Sequence, residues 1–112
     1  MKMIVAILQP GRLEAVKEAI VHAGAHGMTV CAAEGFGEQK GFFEVYRGVP
    51  FRVEFVPRVR VECVVPDGKV EAVTEAILEA AYTGKVGDGK IFVLPVEEAI
   101  RIRTKERGEH AV

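Results

Sequence analysis

The strongest constraint on the fold is an internal echo. Leu13, Val16 and Ile20 return as Val70, Val73 and Ile77, each 57 positions later, and the apolar run Ile4–Leu8 returns at the same offset as Val61–Val65. Apolar residues three and four apart mark one face of a helix, and short apolar runs bounded by turn residues mark strands. The chain therefore reads as two successive β-α units. Met28–Phe36, rich in Thr, Val and Ala, supplies a strand after the first helix, and Lys90–Pro95 supplies one after the second. The order βαββαβ predicts an α+β, ferredoxin-like antiparallel sheet with both helices on one face. The other face then needs a cover, and the apolar first strand (Met3–Leu8) points to self-association.

Local signals agree with this order. Gly24 and Gly27 close the first helix. In Arg58–Val65, Val59, Val61, Cys63 and Val65 alternate with Arg58, Arg60 and Glu62, so the first set faces the core. Pro66 ends that strand, and Asp67 is expected to cap the second helix for about 1 kcal/mol. Val96–Ile100 reads as a short turn and Lys105–Val112 as a frayed polar tail.

Composition narrows the function. At 112 residues the chain makes one domain. A formal net charge of -1 gives no general attraction to nucleic acid or anionic lipid, so any anion must be held by a local pocket. No apolar run approaches the ~20 residues of a membrane-spanning helix, and the N-terminus lacks the pattern of a signal peptide. A cytoplasmic location without membrane insertion is the expectation. There Cys31 and Cys63 read as reduced core thiols without zinc or redox spacing. His22 and His26 are four apart, but Gly24 breaks the helix that would align them on a metal.

Two stretches stand outside the packing pattern. Thr83–Val93 (TGKVGDGKIFV) places three glycines within seven positions between a helix and a strand, followed by Lys90. Such a loop brings backbone N–H groups close to an anion, and Lys90 adds a point charge, a pattern suited to polyphosphate. Downstream, Arg101 and Arg103 flank Ile102 and are expected to share a face, their guanidinium forks matching phosphate oxygens. The other stretch, 37–55, sustains no apolar period yet carries Phe42, Phe43, Tyr46, Phe51 and Phe55. A long aromatic connection suits contact with a partner or local packing equally.

TGKVGDGKIFV, IRIRT at Ile100–Thr104, GFGEQKG at Gly35–Gly41 and YRG at Tyr46–Gly48 occur in the order seen in the P-II nitrogen-regulatory family. From Met1 to about Thr104 the chain resembles that family. The resemblance implies a homotrimer with three working parts: a regulatory T-loop at 37–55, a phosphate-binding B-loop at 82–90, and a C-terminal loop and tail at 101–112. It implies ATP or ADP in a cleft between subunits. Gly87, Asp88, Gly89, Lys90, Arg101 and Arg103 would hold phosphates, with Thr29, Gly35 and Gly37 lining the base and ribose. Gln39 would complete a Mg²⁺ site shared by the triphosphate and 2-oxoglutarate. Lys40, Gly41 and Arg58 would receive that metabolite, and Tyr46, Arg47 and Gly48 would meet the partner. That partner would be an ammonium transporter, which could recruit the protein to the membrane, or a nitrogen-metabolism enzyme or regulator.

The departures are local. Glu38 stands where the family commonly has Arg, Arg58 replaces the usual Lys, and Phe51 and Val49 replace the Tyr and Ser that other members modify. Neither modification is available here. Glu38 keeps open a sensor of adenylate charge, or of another metabolite such as bicarbonate, without a 2-oxoglutarate response. No triad order or paired acids point to an enzyme; the reading is a regulator, with slow ATP hydrolysis left open.

Overall fold

The computed structural model describes residues 1–37, 45–46, 49–50 and 55–112. The echoed segments become β1 (Lys2–Leu8), α1 (Leu13–His22), β5 (Val56–Val65) and α2 (Val70–Ala81). Between and after them come β2 (Thr29–Gly35), the short pair β3 (Val45–Tyr46) and β4 (Val49–Pro50), and β6 (Gly89–Pro95). Four strands form one antiparallel sheet in the order β2-β5-β1-β6, and β3 pairs with β4 apart from it. This is the α+β, ferredoxin-like arrangement the echo predicts.

The echo also locates the core. Ile4 and Val61, Ala6 and Cys63, Leu8 and Val65, Val16 and Val73, and Ile20 and Ile77 are related by the offset, and all ten are buried in one cluster. Leu13 and Val70, the matching residues at the helix starts, are half-buried against it. Burying a Val, Leu or Ile side chain contributes about 1.5–3 kcal/mol, so this cluster carries most of the fold's apolar stabilisation. Both helices lie on the sheet face that presents Ile4, Ala6 and Leu8.

The opposite face is open. In register across it, Met3 stands between Val64 and Leu94, Val5 between Glu62 and Phe92, and Ile7 between Arg60 and Lys90. Cys31 lies beside Arg60 on the edge strand β2 and is exposed, so only Cys63 is the core thiol expected. Burial raises the Cys63 pKa.

Two expectations fail at chain ends. Asp67 does not cap α2. It opens a 3-10 turn (Asp67–Lys69), and Lys69 occupies the cap position without a side-chain bond. The Asp67 carboxylate instead accepts from the Met1 ammonium at 2.9 Å, which holds its pKa below the ordinary carboxylate value. The C-terminal tail is not frayed. Ile100 bridges Arg107, the Arg101 N–H donates to the Glu106 carbonyl at 2.9 Å, and Gly108–Ala111 forms a 3-10 turn. Ordered backbone bonds, invisible to a count of polar side chains, fold the tail back.

Candidate functional site

At one end of the open face, where β1 and β2 finish and β6 begins, a cleft of about 500 Å³ is lined by Gly35, Gly37, Arg58, Gly87, Gly89 and Lys90, with Ile7, Phe36, Val86 and Phe92 as its apolar part. The volume falls in the range of small-ligand pockets. Gly87 and Gly89 both have positive φ, 100° and 104°, which L side chains rarely adopt. At Gly89 the fold also requires glycine: a Cβ would sit 1.7 Å from the Ile7 carbonyl oxygen. The Arg58 guanidinium donates to its neighbouring Pro57 carbonyl at 2.8 Å.

The loop from α2 to β6 is held by three clamps. The Asp88 carboxylate accepts from the Thr83 hydroxyl, from the Thr83 N–H at 2.8 Å and from the Gly84 N–H at 3.0 Å. The Thr83 side-chain bond foremost, then these backbone bonds, hold its pKa below the ordinary 3.8. Gln9 donates its Nε2 to the Gly87 carbonyl at 3.2 Å, and Arg12 donates twice to the Ala80 carbonyl at the end of α2, at 2.6 and 3.0 Å. Asp88 thus spends its side chain on its own loop. It is absent from the lining of this cleft.

A second cleft, about 470 Å³, lies at the other end of the same face. Thr29, Glu62 and Arg101 supply its polar groups, with Met3, Met28 and Val64 among its apolar ones. Ala111 and Val112 of the folded tail form part of its wall. Arg101 pairs with Glu106 at 3.1 Å. Arg101 and Arg103 do not share the face of an extended segment, because residues 102–104 are a turn closed by the Lys105 N–H on the Arg101 carbonyl at 2.8 Å. Arg103 lines neither cleft, and Ile102 projects 95% exposed.

The predicted residues are therefore divided within one chain. Gly35, Gly37, Arg58, Gly87, Gly89 and Lys90 meet in the first cleft, while Thr29 and Arg101 meet in the second. Gln39, Lys40, Gly41, Arg47 and Gly48, with Glu38 and Phe51, lie outside the described residues, and of Tyr46 only the backbone in β3 is described. Where that stretch meets the sheet, the rings of Phe36 and Phe55 pack edge to face, centroids 5.4 Å apart at 71°. Sequence reasoning missed Glu62, whose outward position in the alternation was the available signal, and Gln9, which offered none.

The class is that of a small α+β, ferredoxin-like domain with a glycine-lined, cationic cleft and a second polar cleft at opposite ends of one open sheet face. The sequence matches the family described as Nitrogen regulatory protein P-II over residues 1–106. It is 54% identical to the nitrogen regulatory protein P-II of Azospirillum brasilense, 55% to that of Rhizobium meliloti and 52% to that of Haemophilus influenzae, in each case over the whole of both chains. The chain belongs to the P-II family, whose members are trimers that regulate nitrogen metabolism. It is a nitrogen signal-transduction regulator.

Proposed function

We propose that this protein binds ATP or ADP between neighbouring copies in a homotrimer, and that the bound ligand sets the state of the 37–55 segment read by a partner. The observation that carries the reading is the division of the site. The two clefts open on one sheet face at its opposite ends, and neither alone combines the cations and polar groups a nucleotide needs. A neighbouring copy brings one end of that face against the other. Lys90, Arg58 and the backbone of Gly87, Asp88 and Gly89 then suit the phosphates. Thr29 and Glu62, beside Met28 and Val64, suit the ribose and base. Arg101 approaches from the second copy once it exchanges Glu106 for phosphate, with Arg103 nearby on the same turn. These donors fit the nucleotide.

Mg²⁺ would supply charge neutralisation between phosphate and 2-oxoglutarate carboxylate. Among the described residues no cluster of three acidic, His or Cys side chains could hold a metal, so the phosphates and Gln39 would be its main ligands. Lys40, Gly41 and Arg58 would receive 2-oxoglutarate. Glu38 favours the second reading, an adenylate-only or bicarbonate-type sensor, because an acid near the triphosphate opposes ATP. The partner is a nitrogen-metabolism enzyme, a regulator or an ammonium transporter met through Tyr46, Arg47 and Gly48. The expected setting is the cytoplasm, and no described helix is long and apolar enough to cross a membrane.

The test is complementation between mutant subunits. Lys90→Ala and Arg101→Ala proteins, each about tenfold weaker for ATP in calorimetry, are denatured together and refolded as mixed trimers. A shared site restores wild-type affinity at interfaces that pair an intact Lys90 with an intact Arg101; a site within one chain restores nothing. The same calorimetry with Mg·ATP and 2-oxoglutarate decides the metabolite, since coupled ligands must strengthen each other equally.

A further inference from the structure

We infer that Gln9 is a positioning residue for the glycine-rich loop: its amide holds the Gly87 carbonyl toward itself, outside the cleft, and so away from a bound anion. The inference rests on the anion-cleft reading above and adds a determinant outside the cleft.

In a trans peptide the carbonyl of one residue and the N–H of the next point in opposite directions. Turning the Gly87–Asp88 peptide changes ψ of Gly87 and φ of Asp88, and glycine at 87, at φ 100°, removes the side-chain barrier on one side of that rotation. A carbonyl turned into the cleft would repel phosphate, and an N–H would attract it. Gln9 settles the choice. Its Nε2 donates to the Gly87 carbonyl at 3.2 Å from a position that is not part of the cleft lining, so the Asp88 N–H points away from Gln9. The bond is part-buried and joins residues 78 apart in sequence, so local chain geometry does not account for it.

The neighbouring clamps hold other points of the connection. Arg12 fixes the near end of the connection at Ala80, and Asp88 closes Thr83 and Gly84. Neither constrains the Gly87 carbonyl. Gln9 and Arg12 lie on the one turn leaving β1, around Pro10–Arg12, so that turn brackets both ends of the loop.

The experiment compares Gln9→Ala, Gln9→Lys and Gln9→Glu with the full-length wild type, reading ATP affinity, adenosine affinity, thermal midpoint and Asp88 amide exchange in the ligand-free protein. Ala and Glu lack a donor. They should weaken ATP about five- to tenfold, the scale of one hydrogen bond, leave adenosine and the thermal midpoint nearly unchanged, and alter Asp88 amide exchange. Lys restores a donor and should recover most ATP affinity. Wild-type-like ATP binding in Gln9→Ala, or equal losses for ATP and adenosine, overturns the proposal. If the wild type itself binds no ATP while Asp88 exchange still responds to Gln9→Ala, the nucleotide reading fails and the loop-setting role stands. An unchanged exchange rate removes that role as well.

Discussion

The two faces of the sheet are built on opposite rules. Against the helices, Ile4, Ala6, Leu8, Val61, Cys63 and Val65 are at most 4% exposed, and no polar or charged residue is buried among the described ones. On the open face the same strands offer Met3, Ile7, Phe92 and Leu94 beside Arg58, Arg60, Glu62 and Lys90, with Phe92 50% and Leu94 44% exposed. One face is designed for burial within a chain. The other mixes apolar contacts with charges that a covered surface must pair or give to a ligand. A face of this kind suits association and binding together, and both clefts open on it.

The sharpest way to break the comparison is to delete equivalent bulk from each face. Ile77→Ala should lower unfolding stability by about 2–5 kcal/mol, because a fully buried side chain leaves a cavity. Phe92→Ala on the open face should cost the isolated fold much less yet shift the assembly from about three times the 12.2 kDa chain mass toward one. Urea unfolding and light scattering on the two variants read these outcomes. A Phe92→Ala protein that stays assembled at micromolar concentration would show that the open face does not hold the copies together.

The covered face was almost fully legible in the sequence. Periodicity reports burial directly, and the 57-residue echo pairs ten of the twelve residues of the buried cluster. The candidate site was legible as chemistry but not as geometry. Glycine spacing and Lys90 marked the first cleft, yet nothing in the chain's order said that Thr29 and Arg101 gather at the far end of the sheet. The placement of Arg101 depends on the backbone bonds that fold the tail back after β6, which a pattern of side chains does not encode. Asp88 shows the same limit: an acid in a glycine-rich loop reads as part of the anion site, whereas its carboxylate closes the loop on Thr83 and Gly84. The tail was misread because Ile100–Arg107 and Arg101–Glu106 are joined through backbone groups that every residue type carries.

A smaller effect sharpens the contrast at the loop that borders both faces. The Asp88 pKa is depressed below 3.8 in the folded chain, so its bonds contribute fully at neutral pH, above the unfolded value. That contribution is lost only as pH falls through the folded pKa, below 3.8. Between pH 7 and 5 the loop should therefore be unchanged. Asp88→Asn should reproduce the acid effect at pH 7, with faster amide exchange at Thr83 and Gly84 while the exchange of β1 and β5 amides holds. Equal exchange in wild type and variant would mean that the carboxylate does not close the loop.

The smallest effect, on alkylation rate alone, separates the faces with the protein's own thiols. Cys63 faces the helices, is 4% exposed, and has its pKa raised by burial. Since the thiolate is the reactive form, it should resist iodoacetamide in any folded state, assembled or not. Cys31 lies on the open face beside Arg60 and is exposed in the single chain. A neighbouring copy that covers that face also shields Cys31, so its alkylation should be slow in the wild type and faster in Phe92→Ala. The two rates then report different things: Cys63 follows unfolding and Cys31 follows dissociation. Mass spectrometry of peptides from a time course in native buffer reads both. Equally fast labelling of Cys31 in the two proteins would place β2 outside the interface, and labelling of Cys63 at the Cys31 rate would contradict the core itself.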